Sequence, residues 1–306
     1  MKVTAVNEPP CYHDLPGSLE RAAGIIARAA AEGSSLVVFP EAWLPGYLDF
    51  AWAVTPTNAA DNDFAPAYRR LWENAVDLAT DALAPVAEAA REAGVVVVIG
   101  IQEKSGGTLY NTGVIIDANG TILHAHRKLM PTNAERMVWG FGDGSTLKVV
   151  ETAVGRVGLL LCWENYMPMA RMALYAQNVE IYCAPTADPR ATWHASMQHI
   201  AKEGGCAVIG VAPCIRLEDL PEDLPGREAM AAWGDWVAPG NASIIAPGGG
   251  VLAGPVREET GLVHAEPNLA AIAETRRTFD VAGHYSRPDV FTLRVDSTRK
   301  QPVKFR

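Results

Sequence analysis

Val157-Gly158-Leu159-Leu160-Leu161 carries no polar side chain, and it breaks at once into Cys162-Trp163-Glu164-Asn165-Tyr166, followed by Pro168 and a helical pattern. The apolar run reads as a buried strand, and a thiol at its end precedes a helix N-terminus. Partial positive charge there favours the thiolate and hence nucleophilic attack. A cysteine without partners is more simply a small buried hydrophobe, so the meaning of Cys162 depends on what else the chain brings to its strand ends.

Outward from this stretch the same alternation repeats. Pro168–Asn178 and Ala191–Glu203 have helical patterns, while Ile181–Ala184 and Ala207–Val211 read as core strands. Towards the N-terminus, strands are expected at Val3–Val6, Leu36–Phe39 and Val95–Ile101, with a helix from about Ser18 that Gly33 stops. Ala67–Arg91 is Ala-rich and helical, interrupted near Pro85, which suits the first turn of a second helix. Asp117-Ala118-Asn119-Gly120 marks a hairpin between Gly113–Ile116 and Thr121–His126. A second hairpin is expected around Pro247–Gly250, a further strand pair near Val256–His264 and a helix near Asn268–Phe279. Buried runs mixed with hairpins indicate an α/β protein with mixed sheets. No internal repeat divides the chain, and residues 1–306 are read as one domain with a short C-terminal tail from about 288.

Two further charges stand at strand ends. Glu41 closes Leu36-Val37-Val38-Phe39-Pro40, and Lys128 closes His124-Ala125-His126-Arg127. Lys and Glu are rarely buried unless paired, so each alone reads as a solvated strand-end charge.

Taken together, Phe39-Pro40-Glu41, His126-Arg127-Lys128-Leu129 with Pro131 and Thr132, and Cys162-Trp163-Glu164-Asn165-Tyr166-Met167-Pro168 resemble the three motifs of the nitrilase, or carbon-nitrogen hydrolase, superfamily, in the family's order. The resemblance extends through Tyr110-Asn111-Thr112, Gly142-Asp143-Gly144-Ser145 and Gly283-His284-Tyr285-Ser286-Arg287-Pro288-Asp289. It implies a four-layer α-β-β-α sandwich with two mixed sheets. It also implies Cys162 as nucleophile, Glu41 as general base and then acid, and Lys128 as the cation that stabilises developing charge. Glu135, seven residues beyond Lys128, matches the family's second glutamate, which positions substrate and lysine; by sequence alone it is a surface loop charge. Glu164 is the rival carboxylate because it adjoins the nucleophile.

Trp163, directly after the cysteine, resembles the branch that acts on nitriles. The implied reaction converts an organic nitrile to a carboxylic acid and ammonia through a thioimidate and a thioester. An amidase or a cyanide-hydrolysing relative is the alternative within the superfamily, and a catalytically silent scaffold is the alternative outside enzymes. Trp163, Tyr47 and Met137, beside the three motifs, are candidates to line the substrate pocket.

Composition sets the remaining limits. The net charge of −9, with no dense basic run, argues against nucleic acid or an anionic membrane as partner. Cysteines 11, 162, 183, 206 and 214 are odd in number, lack zinc-type spacing and read as reduced thiols. The N-terminal apolar run is too short for a signal peptide, and no stretch approaches the roughly 20 apolar residues of a membrane span. Cytoplasm is therefore expected. The seven histidines form no convincing ligand set, and the implied chemistry calls for no metal and no cofactor. Gly140, Gly142 and Gly144 read as a turn, not a phosphate loop, since no Lys-Ser/Thr and helix follow.

Pro45–Pro66 and Arg216–Pro239, rich in Pro, acidic residues and aromatics, read as long loops of the kind that serve as lids or binding loops. The helix after Cys162 carries Met167, Met169, Met172, Leu174 and Tyr175, more apolar surface than one core-facing stripe needs. With the family resemblance this implies a homodimer or higher homo-oligomer.

Overall fold

The computed structural model describes residues 1–56, 62–301 and 303. In chain order its strands are β1 Lys2–Asn7, β2 Ser34–Val38, β3 Val96–Ser105, β4 Thr108–Ile116, β5 Ile122–Arg127, β6 Val149–Thr152 and β7 Gly155–Leu159. They continue with β8 Ile181–Pro185, β9 Ala207–Val211, β10 Cys214–Arg216, β11 Trp236–Pro239, β12 Ala242–Ile245, β13 Val251–Val256 and β14 Gly261–Ala265. The helices are α1 Leu15–Ala31, α2 Phe50–Ala53, α3 Phe64–Glu73, α4 Ala84–Ala93, α5 Pro168–Tyr175, α6 Ala191–Gly204, α7 Arg227–Ala231 and α8 Ala271–Thr278.

Two six-stranded mixed sheets form, in the orders β14-β1-β2-β3-β4-β5 and β13-β12-β9-β8-β7-β6. The central strands β1, β2 and β3 of the first sheet and β7, β8 and β9 of the second run parallel, and the outer ones antiparallel. Side-chain alternation explains the layering. Leu36, Val38, Val96 and Val98 face Leu159, Leu161, Ile181 and Ile209 of the other sheet in one core. Their sequence neighbours Val37, Val97 and Ile99 face Ile25, Ile26, Val86 and Ala90 of α1 and α4. Tyr182, Ala184 and Val208 turn outward onto Trp193, Met197 and Ile200 of α6 and Leu174 of α5. The result is the helix–sheet–sheet–helix sandwich, in which both sheets are buried on both faces and each buried aliphatic side chain contributes ~1.5–3 kcal/mol.

Three details depart from the sequence pattern. α1 starts at Leu15, ahead of Ser18, because Asp14 caps it by accepting the Gly17 N–H. The strand pair expected near Val256–His264 does not form. β13 lies at the edge of the second sheet, while β14 crosses to the first and pairs antiparallel with β1, from Val3 opposite Ala265 to Asn7 opposite Gly261. That pairing satisfies the backbone edge of β1 and packs the half-buried Val263 and Ala265 against the core between the sheets.

The third departure concerns the two presumed loops, which carry structure of their own. Arg216–Pro239 contains α7 and β11, which pairs with β10 at the segment's start, and Pro45–Pro66 contains α2 and the start of α3, with residues 57–61 outside the described residues. The two segments meet where the Gly226 N–H donates to Asp63, and Arg70, further along α3, pairs with Asp223 at 3.0 Å.

Candidate active site

Glu41, Lys128 and Cys162 each leave a strand on the same side of the sandwich. Phe39 N–H still bonds Val98 O, and Pro40 O then accepts Gly100 N–H, so the Glu41 turn lies directly on β3. A Cβ on Gly100 would fall 2.4 Å from Pro40 O and from Ala42 N, which makes this glycine a condition of the placement. Lys128 is registered on β4 through its N–H to Asn111 O at 2.8 Å. Gly142 packs on the far side, where any Cβ would meet Arg127 O at 2.1 Å.

Cys162 itself has φ of +52°, and Ala42 and Asn133 beside the two glutamates have φ of +49° and +48°. Left-handed backbone at non-glycine residues costs about 1–3 kcal/mol each and concentrates where geometry must be held.

The side chains converge. Lys128 Nζ donates to Glu41 Oε1 at 2.8 Å and to Glu135 Oε2 at 2.7 Å, with all three buried. Asn111 Nδ2 donates to the same Glu41 oxygen at 2.6 Å. Glu41 Oε2 has no hydrogen-bond partner among the described residues. An oxygen of each glutamate and Cys162 Sγ lie within 4.8 Å of one another. Such a group of donor atoms suits a cation, and the Lys128 ammonium fills that role between the two carboxylates. Glu135 sits in the 3-10 turn Asn133–Met137, where Tyr47 OH donates to it at 2.5 Å and Thr132 N–H at 2.5 Å.

Electrostatics follow from burial. Burial pushes Glu41 up to about 7, with Lys128 pulling it down and Glu135 pushing it further up. Burial works to lower the Lys128 pKa, but Cys162, Glu41 and Glu135 outweigh it and hold the ammonium well above its usual range. Burial, reinforced by Glu41 and opposed by Lys128, pushes the Cys162 thiol up. This corrects the expectation of a thiolate favoured by a helix end. Cys162 opens a 3-10 turn, Cys162–Tyr166, and α5 begins only at Pro168. These surroundings favour the neutral thiol over the thiolate.

Glu164 points elsewhere. It accepts the Leu161 and Leu129 N–H groups at 2.7 and 2.6 Å and meets His126 Nε2 at 3.2 Å, tying the cysteine segment to the lysine segment from behind.

In front of the cluster opens a cavity of about 450 Å³. Tyr47 and Trp163 line it, with Cys162 and Glu135 at its base. Met137 does not line it: the turn that aims Glu135 inward turns Met137 out to solvent, 46% exposed.

Sequence reasoning missed several wall residues. Asp49 and Trp52 come from the first presumed loop, Trp233 and Val237 from the second, and Ala187, Asp188 and Arg190 from the segment after β8. Asp188 accepts the Trp163 indole N–H at 2.9 Å, and the Arg190 guanidinium covers the Trp163 ring at 4.8 Å. The legible signal was Thr186-Ala187-Asp188, a polar break at the end of a core strand like the other three.

Comparison with known proteins gives a match to the carbon-nitrogen hydrolase family over residues 2–277. The chain is 41% identical to a bifunctional nitrilase/nitrile hydratase NIT4A of Lupinus angustifolius, over all of this chain and 88% of that protein. It is 44% identical to nitrilase blr3397 of Bradyrhizobium diazoefficiens, over 94% of this chain and 89% of that one. Among solved structures, a carbon-nitrogen hydrolase from Helicobacter pylori G27 superposes with a TM-score of 0.74 at 20% identity, over 94% of this chain and 96% of the other.

Proposed function

Because the chain belongs to the carbon-nitrogen hydrolase family, we propose that its cavity is where an organic nitrile is converted to a carboxylic acid and ammonia. The chain is a hydrolase of carbon–nitrogen bonds and a nitrilase. The observation that carries the residue assignments is the division of labour within Glu41: Oε1 is held by Lys128 and Asn111, while Oε2 is buried and unpartnered.

In this reading Glu41, poised near neutrality, takes the Cys162 proton as sulfur attacks the nitrile carbon, and the nitrogen is protonated to give a thioimidate. Lys128, kept cationic by its two carboxylates, stabilises the charge that develops in the buried site. Water activated by Glu41 adds to the thioimidate carbon. Ammonia leaves, and a second water releases the acid from the thioester. Glu135 is a positioning residue that holds Lys128, and Tyr47 in turn holds Glu135.

Trp163, Trp52 and Trp233 around the cavity support an apolar substituent on the nitrile. The bifunctional name of the Lupinus relative supports a second exit, in which some amide is released beside the acid.

We further propose a homodimer or larger homo-oligomer. Met169 on α5 is 64% exposed and Phe291 on the C-terminal tail 77% exposed, apolar surface that a second copy would cover. No helix among the described residues is long and apolar enough to cross a membrane, and a cytoplasmic location is our proposal. So too is the division of residues 1–306 as one catalytic domain.

The experiment is a panel of aliphatic, aryl and arylacetonitriles with quantification of acid, amide and ammonia. Nitrile consumption with mainly acid formed supports the reading, and inertness across the whole panel counts against it.

A further inference from the structure

Thr186 follows directly after β8, fully buried, and its Oγ1 lies 3.2 Å from Cys162 Sγ. Among the described residues it is the one hydrogen-bond donor to that sulfur. The same oxygen accepts the Asp188 N–H at 2.9 Å, and the Thr186 N–H is fixed to Val211 O at 2.8 Å. A hydroxyl has one proton, and with a lone pair occupied by the Asp188 N–H the proton is left to point at sulfur. Asp188 also anchors Trp163, the residue after the nucleophile, so a single segment orients both the donor and the neighbour of the sulfur it serves. The implied mechanism has no part for Thr186, and no motif singled out in the sequence contains it.

We propose that Thr186 is a catalytic residue that stabilises negative charge on the Cys162 sulfur and thereby sets the share of amide released beside acid. This rests on the reading of the site as nitrile-hydrolysing. Addition of water to the thioimidate carbon gives a tetrahedral carbon bearing a hydroxyl, nitrogen, sulfur and the substituent. In one exit the protonated nitrogen takes the C–N bonding pair and leaves as ammonia, the hydroxyl gives up its proton to Glu41 as the carbonyl forms, and the thioester remains.

In the other exit the C–S pair returns to sulfur, the hydroxyl gives up its proton to Glu41 as the carbonyl forms, and the amide leaves. Only the second exit places new charge on sulfur, so a donor aimed at sulfur favours it selectively. The same donor stabilises the thiolate in the first attack.

The test compares wild type, Thr186→Val and Thr186→Ser in two assays: amide and acid formed from one nitrile, and the rate of Cys162 alkylation by iodoacetamide against pH. Thr186→Val is expected to lower the amide-to-acid ratio about fivefold, the change that about 1 kcal/mol makes between competing exits. It should also slow alkylation at fixed pH by a similar factor and displace its profile to higher pH. Thr186→Ser should restore both. If Thr186→Val does not fold, Thr186→Ala removes the same hydroxyl and carries the same expectation.

An amide-to-acid ratio that is unchanged or raised in a folded hydroxyl-free variant would overturn the proposal, as would acid being the sole product of the wild type. Alkylation reports on the Thr186–sulfur contact without any nitrile, so a failure of the nitrilase reading is distinguishable from a failure of this one.

Discussion

Lys128 Nζ lies 2.8 Å from Glu41 Oε1 with both side chains closed off from solvent, and this contact holds a buried carboxylate and a buried cation as one unit. Neither residue is tolerable in the core alone. Breaking a buried pair from one side leaves an uncompensated charge and costs about 3–5 kcal/mol. Lys128→Met should therefore lose stability in this range, measured by urea unfolding, and Glu41→Gln added to it should recover part of the loss. Additive losses would mean that the pair is not coupled.

The pH dependence follows from Glu41. Burial raises its pKa to about 7, and as the proposed base it must be unprotonated to accept the thiol proton, so activity is expected above that pKa and lost as pH falls through it. A plot of kcat/KM against pH should rise from pH 5.5 and level off above about 8, with an apparent pKa of about 7. A flat profile over this range would remove Glu41 from the role.

Glu135 and Glu164 are predicted to behave differently although both are buried carboxylates. Glu135→Gln weakens the hold on Lys128, so turnover should fall by about 10²-fold or more and the amide fraction of the remaining product should rise, because the charged nitrogen is less well held for departure. The Leu129 and Leu161 N–H groups bond different oxygens of Glu164, so Glu164→Gln keeps one acceptor and sets an amide NH2 against the other N–H. It should act chiefly on stability and leave the product ratio where it was. Product analysis by chromatography decides between these outcomes.

Trp163 contributes a wall of the cavity and is held by Asp188. Trp163→Phe keeps the apolar face but loses the bond to Asp188, so KM for an apolar nitrile should rise several-fold while kcat changes less. A kcat loss with KM unchanged would place Trp163 in the reacting geometry instead.

The local pattern made the strand ends legible, with Glu41 and Cys162 closing apolar runs and Lys128 closing the strand-like His124-Ala125-His126-Arg127, while their joint role was legible through the family resemblance. Taken singly, Glu41 and Lys128 read as solvated charges and Cys162 as a small buried hydrophobe. Glu135 was legible only by resemblance, since a glutamate in Asn133-Ala134-Glu135-Arg136 has the composition of a surface turn, and only the fold brings Lys128 and Tyr47 to it.

The crossing of β14 to β1 was not legible, because periodicity reports which face of a strand is buried and not which sheet it joins. The same holds for Trp52 and Trp233, which meet the cavity through tertiary packing of two segments far apart in the chain. The expected helix end beside the thiol was a local argument, while α5 begins only at Pro168 and the burial that pushes the thiol up is a property of the whole sandwich.

The most direct test of the central claim is brief exposure of wild type and Cys162→Ala to a nitrile, followed by intact-protein mass spectrometry and measurement of ammonia. The account predicts an acyl or imidate adduct on wild type that maps to Cys162, with ammonia and acid released. It predicts neither adduct nor ammonia from Cys162→Ala, while Cys183→Ala, Cys206→Ala and Cys214→Ala retain most activity. Appreciable ammonia release by purified Cys162→Ala, or brisk hydrolysis of the matching amide with no nitrile consumed by the wild type, would contradict it.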